Sequence, residues 1–487
     1  MHRRLSLALA TVLVLATVRF SGQTGDPGDM VARIRAEGLQ QSRALTLYRT
    51  LTDDIGARLT GSPAHMQAAR WAVDRFKEWG LGNPHLEPYE FGRGWQLEHV
   101  SVEMTEPRYV PLIAYAEAWS PPTKGVLSGR VVYVGDKTAS QIQGMDAQLR
   151  GAIVLTHLPL TEFVDRDRPQ PGLDERPVAT GNPSLPQARS TTTANELMAL
   201  LGRAGAAVAI RPSAYRDGTV GVTGNRATSS DAVPSIVVAG EQYNLLARLA
   251  AQGRPASLRV ELRTRYFEED RNSYNVIAEI PGQDPMLRDQ VVLIGAHLDS
   301  WHTASGATDN ADGAVAVMEA MRIIRALGAG PRRTIRAALW SGEEQGLLGA
   351  RAYVMQHFNT PASRNQLAVY LNDDPGSGKT LGFYMEGNRE AKTIFDRWLA
   401  PLQDLGTTRN IIEGIGSTDH VPFNEAGLPG FNVIKDFGAY DERTRHTNAD
   451  FPERMSEDEL KQSAIFMATF AWQAAMLDEK IPRMPAK

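Results

Sequence analysis

The second half of the chain alternates short apolar segments with amphipathic ones, and this alternation restricts the fold more than any other feature. VVLIGAHLDS (residues 291–300) and LAVYLNDD (367–374) are typical of buried strands, whereas GAVAVMEAMRIIRAL (313–327) has apolar residues at helical spacing. Strands that alternate with helices indicate a largely parallel sheet covered by helices. We therefore expect an α/β domain over residues 264–487.

The region before this α/β pattern has a different pattern of residues. Residues 121–263 contain short β-rich runs such as VLSGRVVYVG and VPSIVVAG, which are separated by Gly and Pro. A Pro-rich polar stretch interrupts them at residues 160–195. The pattern predicts a β-rich domain inserted at 121–263, with residues 23–120 forming the first part of the α/β domain.

The first 22 residues have the pattern of a secretory signal peptide. Arg3 and Arg4 precede an apolar run at residues 5–18, which is short for a membrane span. We therefore expect residues 1–22 to be removed, leaving a periplasmic or secreted protein with no stable membrane insertion. The alternative is an uncleaved anchor.

Composition limits the partners and the kinds of site. A net charge of −4 over 487 residues gives no broad basic field for nucleic acid. The chain contains no cysteine, so thiolate zinc sites are excluded. Any metal must be held by His, Asp and Glu side chains.

Four clusters of imidazole and carboxylate groups follow the predicted strands. They contain His297, Asp299 and Asp309; Glu343 and Glu344; Asn372, Asp373 and Asp374; and His446 and Asp450. Ligands of such sheets bind at the carboxyl ends of the strands, so we expect the clusters to converge there. Gathered like charges repel, and bound metal is the natural counter-charge. The inventory suits two divalent ions that share one carboxylate, with one acid left as general base.

The motifs HLDSW, LWSGEEQGLLG, NDD and HTNAD, in this order, resemble those of the co-catalytic zinc exopeptidases. That family includes bacterial aminopeptidases, glutamate carboxypeptidase and carboxypeptidase Q. The resemblance is greatest to carboxypeptidase Q and extends over nearly the whole mature chain, including IGARLTGSP and GSTDHVPFNEAGLPG. It implies a three-layer αβα zinc-peptidase fold with a mostly parallel central sheet, and it implies that the β-rich insert is a protease-associated domain.

The resemblance also implies a ligand set for two Zn²⁺ ions per chain. His297 and Asp374 would bind one ion, Glu344 and His446 would bind the other, and Asp309 would bridge the two. These five residues come from all four clusters.

Further roles are implied for residues beside the ligands. Glu343 would be the general base, which accepts a proton from the water between the ions and passes it to the leaving amine. Asp299 would not bind metal but would hydrogen-bond the far nitrogen of His297 and orient its ring. His420 would either contact the substrate or have a structural role. His302 is expected to lie outside the ligand set, and Asp450 to hold the loop of His446.

The function implied is a secreted or periplasmic metallo-exopeptidase that hydrolyses dipeptides or short peptides. It would be either a dipeptidase like carboxypeptidase Q or an aminopeptidase, and a homodimer is compatible with the dimers found among relatives. One alternative is an acyltransferase like glutaminyl cyclase, which uses one zinc ion and is similar at DHVPF and HTNAD. The other is a non-catalytic binding protein on the same fold. The complete set of ligands argues against both.

Overall fold

A computed structural model of the chain describes residues 27–172, 193–374 and 376–483. The predicted signal peptide at 1–22 lies outside these residues. None of the helices within the described ranges combines the length and the apolar character needed to cross a membrane.

The described residues contain thirteen α-helices and fifteen β-strands. The helices are α1 (Pro27–Gln40), α2 (Ala44–Arg49), α3 (Pro63–Glu78), α4 (Ala139–Gln143), α5 (Asp146–Leu149), α6 (Ala194–Ala204), α7 (Gly240–Ala251), α8 (Asp312–Ala326), α9 (Leu348–His357), α10 (Pro361–Arg364), α11 (Arg389–Leu399), α12 (Val421–Glu425) and α13 (Glu457–Met476). Shorter π-helical and 3-10 turns are Thr50–Ile55, Ala307–Ala311, Ala400–Leu405, Tyr440–Thr444 and Pro452–Arg454.

The strands form two sheets. They are β1 (Gly82–Glu90), β2 (Gly94–Glu106), β3 (Val110–Pro111), β4 (Ala114–Ala116), β5 (Leu127–Tyr133), β6 (Ile153–Leu155), β7 (Val208–Pro212), β8 (Ser235–Val238), β9 (Ser257–Phe267), β10 (Asn272–Ile280), β11 (Val291–His297), β12 (Thr334–Trp340), β13 (Leu367–Asn372), β14 (Thr380–Tyr384) and β15 (Gly430–Lys435).

The first sheet has seven strands in the order β1-β10-β12-β11-β13-β15-β14. Its four central strands, β12, β11, β13 and β15, are parallel to one another. The outer strands β1, β10 and β14 are antiparallel to their neighbours. The sheet is therefore mixed, which corrects the prediction of a mostly parallel sheet: that prediction holds for the centre and is wrong at both sides.

Helices cover both faces of this sheet. Val292 and Ile294 of β11 share one apolar cluster with residues of α8 and α13. Val291 and Leu293, which point to the opposite face, share another cluster with residues of α9 and α12. A strand buried on both faces has no polar side, which explains the unbroken apolar run in the sequence.

The second sheet has eight strands in the order β3-β2-β9-β5-β6-β7-β8-β4, all of them between residues 94 and 267. Its apolar side chains form a separate cluster with α7. Trp301, which follows β11 of the first sheet, also belongs to this cluster. The second sheet thus contacts the loop that carries the first metal motif. The predicted insert at 121–263 falls within this sheet's range, and its boundaries stay a prediction.

Candidate metal centre

The ligand candidates lie where the central strands end. The parallel strands β12, β11 and β13 are neighbours, so their carboxyl ends share one edge of the sheet. His297 is the last residue of β11, Glu343 and Glu344 lie in the turn after β12, and Asp374 follows β13. Asp309 lies in the π-helical turn before α8, and His446 follows the π-helical turn after β15. Six side chains separated by up to about 150 residues are thereby brought to one place.

Three of them form a first triad, made of His297, Asp309 and Asp374. Nε2 of His297 lies 3.3 Å from Oδ1 of Asp309 and 3.6 Å from Oδ1 of Asp374. One ligand atom from each residue lies within 4.8 Å of the other two. All three side chains are buried.

A second triad consists of Asp309, Glu344 and His446. Nε2 of His446 lies 3.3 Å from Oδ2 of Asp309 and 3.0 Å from Oε2 of Glu344. The same limit of 4.8 Å holds for its ligand atoms. Asp309 therefore directs one oxygen to each triad, which is the arrangement expected of a carboxylate shared by two ions.

The donor atoms of both triads fit divalent metal. Imidazole nitrogen and carboxylate oxygen are ligands that zinc accepts in catalytic sites. Within the described part of the chain, Nε2 of His297 and Oε1 of Glu344 are buried and have no hydrogen-bond partner. Such atoms are costly to bury alone, and a cation would supply the missing interaction. Burial, opposed by the nearby His446, raises the pKa of Glu344, and a bound cation would favour the ionised form.

Glu343 lies beside the triads without joining either. It lines the same cavity as Asp309, Glu344 and Asp374, and its side chain is almost fully buried. Burial raises the pKa of Glu343 well above its ordinary range; the neighbouring carboxylates of Asp374 and Glu344 raise it further, while His297 opposes them. A carboxylate with a raised pKa at a cavity wall is suited to accept and return a proton.

Asp299 holds the turn of the two glutamates. Its Oδ1 accepts a hydrogen bond from the backbone N–H of Glu343, and its Oδ2 accepts one from Glu344, both at 3.3 Å. The hydrogen bond of 2.9 Å at Nδ1 of His297 goes to the backbone carbonyl of Asp299, whereas the carboxylate oxygen lies 3.8 Å away. The ring is therefore oriented by the carbonyl, and the predicted carboxylate contact is corrected on this point.

Asp373 and Asp374 point in different directions, as neighbouring residues of an extended segment do. Asp374 belongs to the first triad, whereas Oδ1 of Asp373 lies 3.0 Å from Nζ of Lys435. Lys435 also lies 3.3 Å from Asp312, the first residue of α8, and all three groups are buried. This buried ion-pair cluster accounts for Asp373 without metal.

Two other predicted residues, His302 and His420, also lie outside both triads. Nε2 of His302 is 2.9 Å from the carbonyl oxygen of Ala116, next to the ring of Trp95. His420 is fully buried, with Nε2 3.1 Å from Oε1 of Glu386, and it is not on the cavity wall. Its contact with substrate stays a prediction.

Asp450 joins the loop of His446 to the turn that carries Asp309. Its Oδ1 accepts hydrogen bonds from the backbone N–H of Thr308 at 2.7 Å and from the Thr308 hydroxyl at 2.8 Å. Because Thr308 directly precedes Asp309, this contact fixes the position of Asp309, the candidate for the bridging carboxylate.

Two aromatic residues that the sequence did not single out contact the triads. The indole Nε1–H of Trp301 donates to Oε2 of Glu344 at 2.7 Å. The hydroxyl of Tyr440 donates to Oδ2 of Asp309 at 2.8 Å. Trp301 stands inside the motif HLDSW and could have been noticed there, but nothing in the sequence around Tyr440 indicates its partner.

A buried arginine shapes the loop between His297 and Asp309. Arg58 donates to the backbone carbonyls of Leu298 at 2.8 Å, Ser305 at 2.7 Å and Gly306 at 2.8 Å. Arg58 is the arginine of IGARLTGSP, and it is fully buried. Burial lowers its pKa to about 10, so the guanidinium stays charged at neutral pH. The shape of this loop therefore depends on Arg58, a side chain from the first part of the chain.

The triads open into a cavity of about 360 Å³, within the range of small-molecule sites. Its wall includes the candidate base Glu343, the triad residues Asp309, Glu344, Asp374 and His446, the hydroxyl residues Ser417 and Thr418, and three arginines, Arg168, Arg351 and Arg445. The arrangement can bind a small substrate against two metal positions with a proton acceptor beside them.

Comparison with known proteins agrees with this geometry. Residues 275–471, which include both triads, match peptidase family M28. Human carboxypeptidase Q is 26% identical over 466 residues, covering 94% of this chain and 91% of the human protein. Leupeptin-inactivating enzyme 1 of Streptomyces exfoliatus is 35% identical over 159 residues, covering 32% of this chain and 34% of that enzyme.

Solved structures share the fold. A peptidase M28 precursor from Shewanella amazonensis matches with a TM-score of 0.70 at 22% identity, covering 95% of this chain and 99% of that chain. A zinc aminopeptidase from Bacillus subtilis matches with a TM-score of 0.60 at 18% identity, covering 89% and 95%. Both matches span most of the chain.

Proposed function

We propose that this chain, whose residues 275–471 match peptidase family M28, is a zinc exopeptidase that uses two ions per chain to hydrolyse dipeptides or short peptides. The observation that carries the proposal is the sharing of Asp309 by two triads of His and carboxylate groups. The position of Glu343 on the wall of the same cavity supports it.

His297 and Asp374 would hold one ion, Glu344 and His446 the other, and Asp309 both. Bound zinc supplies Lewis acidity toward the scissile carbonyl and lowers the pKa of the attacking water. The burial of the first triad keeps bulk water from competing for its ligands.

Glu343 performs the proton transfers. Its carboxylate accepts a proton as the water oxygen forms the new bond to the scissile carbon. The same carboxyl group then donates that proton to the peptide nitrogen as the C–N bond breaks, so the base is restored in each cycle. The raised pKa of Glu343 suits both steps, because the group must hold the proton between them.

Asp299 is a positioning residue in this scheme. By accepting from the backbone N–H groups of both Glu343 and Glu344, its carboxylate fixes the base and one ligand relative to each other. Trp301 and Tyr440 hold a ligand oxygen each, which limits the rotation of the carboxylates before metal binds.

Two further proposals concern the rest of the chain. Residues 121–263 would form a protease-associated insert, which the separate apolar cluster of the second sheet supports. Residues 1–22 would direct export, which would make the enzyme periplasmic or secreted.

Metal counting and substrate mapping test the function together. Purified protein is analysed for zinc per chain by mass spectrometry and then incubated with a di- and tripeptide library, with and without chelator. We expect two zinc ions per chain and hydrolysis that chelator abolishes and zinc restores. One zinc ion with cyclisation of glutaminyl peptides would instead identify an acyltransferase, and metal-loaded protein that cleaves no peptide would identify a binding protein.

A further inference from the structure

A segment from the region of the second sheet reaches the metal centre, and the proposed hydrolysis gives it no role. Residues 164–171, which we call the arm, lie between β6 and α6, in the Pro-rich polar stretch of the sequence. Val164 at the start of the arm forms a parallel β-bridge with Tyr215, which follows β7. Further along, the arm contacts the loop that leads to His446.

Asp167 of the arm caps the π-helical turn Tyr440–Thr444 from outside. Its Oδ2 accepts a hydrogen bond from the backbone N–H of Ala439 at 2.6 Å, and its Oδ1 accepts one from Glu442 at 3.0 Å. The first N–H groups of a helical turn have no partner within the turn, and a side-chain oxygen at the cap position normally accepts from them. Ala439 occupies that position and has no side-chain acceptor. Asp167 therefore supplies the cap that the turn itself lacks.

Arg168 holds the same turn from the next position of the arm. Its Nε and Nη2 donate to the two carboxylate oxygens of Asp441, and its backbone N–H donates to the same carboxylate at 3.1 Å. Its Cζ lies 4.9 Å from the ring centre of Phe437 and 5.9 Å from that of Tyr440. A guanidinium in a bidentate pair and against aromatic rings is fixed in orientation. The arm thus also holds one side of the Tyr440 ring.

The capped turn carries two contacts of the metal centre. The hydroxyl of Tyr440 donates to Oδ2 of Asp309 at 2.8 Å, and the same oxygen lies 3.3 Å from Nε2 of His446. The hydroxyl of Thr444, at the end of the turn, accepts a hydrogen bond from that of Thr308 at 2.9 Å. A displacement of the turn would therefore move Tyr440 and His446 together, away from one oxygen of the shared carboxylate.

Tyr215, the partner of the arm, also reaches this loop. Its hydroxyl donates to the backbone carbonyl of Arg445 at 3.1 Å. Beyond the ligand, Oδ1 of Asn448 accepts a hydrogen bond from the backbone N–H of Val220 at 2.7 Å. The arm therefore holds the turn before His446, while the connection between β7 and β8 holds the residues on either side of His446.

We propose that Asp167 and Arg168 are positioning residues of the second triad, which set the turn of Tyr440 and His446 in its ligand-binding geometry before an ion binds. The inference rests on the proposed two-zinc function and adds to it a part of the chain outside the family match at residues 275–471. A turn that is already ordered leaves less entropy to be lost on metal binding, so the ion is held more tightly. The ion of the first triad should depend much less on the arm, because two of its ligands lie at strand ends of the first sheet.

Competition between the protein and a chelator for zinc tests this role. We expect Asp167→Ala to weaken one of the two ions by about ten- to a hundredfold and to leave the other within about twofold of wild type. Asp167→Asn should give a smaller loss, because its amide oxygen can still accept one of the two hydrogen bonds. Asp165→Asn is the matched control and should bind both ions like wild type, since Asp165 lies in the same arm but pairs with the half-exposed Arg216.

The outcomes separate this inference from the function on which it rests. Wild-type protein with two ions, together with unchanged affinities in Asp167→Ala, would overturn the role of the arm and leave the two-zinc function standing. Equal weakening of both ions would also overturn it, because a general loss of stability has no preference for one triad. Wild-type protein that binds fewer than two ions would remove the two-zinc function itself.

Hydrogen exchange tests the same role without a variant, and so stands even if Asp167→Ala fails to fold. In zinc-free wild-type protein, the amides of Ala439 and Glu442 should exchange within about threefold of their rates in zinc-loaded protein, because Asp167 accepts from both before metal binds. Mass spectrometry of peptides that cover residues 437–448 provides the rates. Protection that appears only after zinc is added would mean that the metal orders the turn, contrary to the proposal.

Discussion

The two triads share Asp309 but are built in different ways. The first triad joins the ends of two adjacent parallel strands: the side chain of His297 is 1% exposed, and that of Asp374 is 5% exposed. In the second triad, the side chain of His446 is 13% exposed and its backbone has a left-handed φ of 58° in a loop. Two of the three residues of the first triad thus lie at strand ends, whereas in the second triad only Glu344 follows a strand of the sheet directly.

The second triad is held largely by the connection between β7 and β8 of the second sheet and by the apolar cluster of that sheet. The carbonyl of His446 accepts from the backbone N–H of Val222 at 2.9 Å, and Thr447 forms a β-bridge with Gly221. Trp301, which donates to Glu344, packs in the apolar cluster of the second sheet. The first triad therefore belongs to the α/β core, whereas the second depends on the contact between the two sheets.

The largest loss of metal and activity is expected from substitution of Asp309, the residue that the two triads share. Asp309→Ala removes a ligand from both, so metal content should fall from two ions to nearly none, and kcat/KM should fall at least about ten-thousandfold. Metal analysis after dialysis, with peptide hydrolysis, provides the measurement. Retention of one tightly held ion in this variant would show that the triads are independent, contrary to the shared carboxylate.

Glu343→Gln should separate catalysis from metal binding in both triads. Because Glu343 belongs to neither, zinc content should stay at two per chain, while kcat falls by about a hundred- to ten-thousandfold through loss of the proton acceptor. Stopped assays at high enzyme concentration, with metal analysis of the same sample, measure both quantities. Substantial activity would exclude Glu343 as the base, and loss of an ion would make it a ligand.

Acid should destabilise the folded chain, because it protonates His65. This side chain lies in α3 and is 2% exposed. Burial lowers the pKa of His65 to about 4, while its unfolded pKa is near 6.5. The unfolded chain therefore binds more protons between these values, so stability is complete above pH 6.5 and is lost as the pH falls toward 4, by about 3 kcal/mol for this group.

Denaturant titrations at a series of pH values measure this dependence. His65→Gln should flatten it relative to wild type, whereas the exposed His85→Gln, which also removes one imidazole, should not. Parallel curves for wild type and His65→Gln would mean that His65 is not responsible.

The smallest effect is expected from a substitution of Trp301, which contacts only the second triad. Trp301→Phe keeps a ring in the second-sheet cluster but removes the donor to Glu344, so zinc affinity at one site should fall about ten- to a hundredfold. Competition with a chelator should resolve one weakened ion and one unchanged ion. Equal weakening of both ions would contradict the separate support of the two triads.

Sequence patterns predicted the central strands of the first sheet well and its outer strands less well. The runs at β11 and β13 are unbrokenly apolar because both strands are buried on two faces, and this made both strands and the clusters after them visible. The antiparallel direction of β1, β10 and β14 was missed, since the local apolar period is the same in either direction. Direction is decided by the connections, and β10 follows a strand of the other sheet.

Within the site, three of the five predicted ligands, His297, Glu344 and Asp374, lie at or shortly after the end of a strand, whereas Asp309 and His446 lie in or beside π-helical turns. Contacts that depend on the path of the chain could not be predicted: Tyr440 and Asp309 are 131 residues apart, and Lys435 is far from both Asp312 and Asp373. Lys435, which pairs with both of these carboxylates, lies outside the four clusters that the sequence made visible. Charge balance here is set by tertiary neighbours rather than by neighbours in sequence.

The carbonyl contacts of Arg58 have a consequence for the order of assembly. Arg58 and Leu298 are 240 residues apart, and the turn with Asp309 also needs Asp450, which is 142 residues after Thr308. We expect contacts of such long range to form late in folding, because each one requires the closure of a large loop. A growing or partly folded chain would therefore contain the ligand residues before they are assembled into a site. We expect hydrolytic activity only after the first, middle and last parts of the chain are in contact.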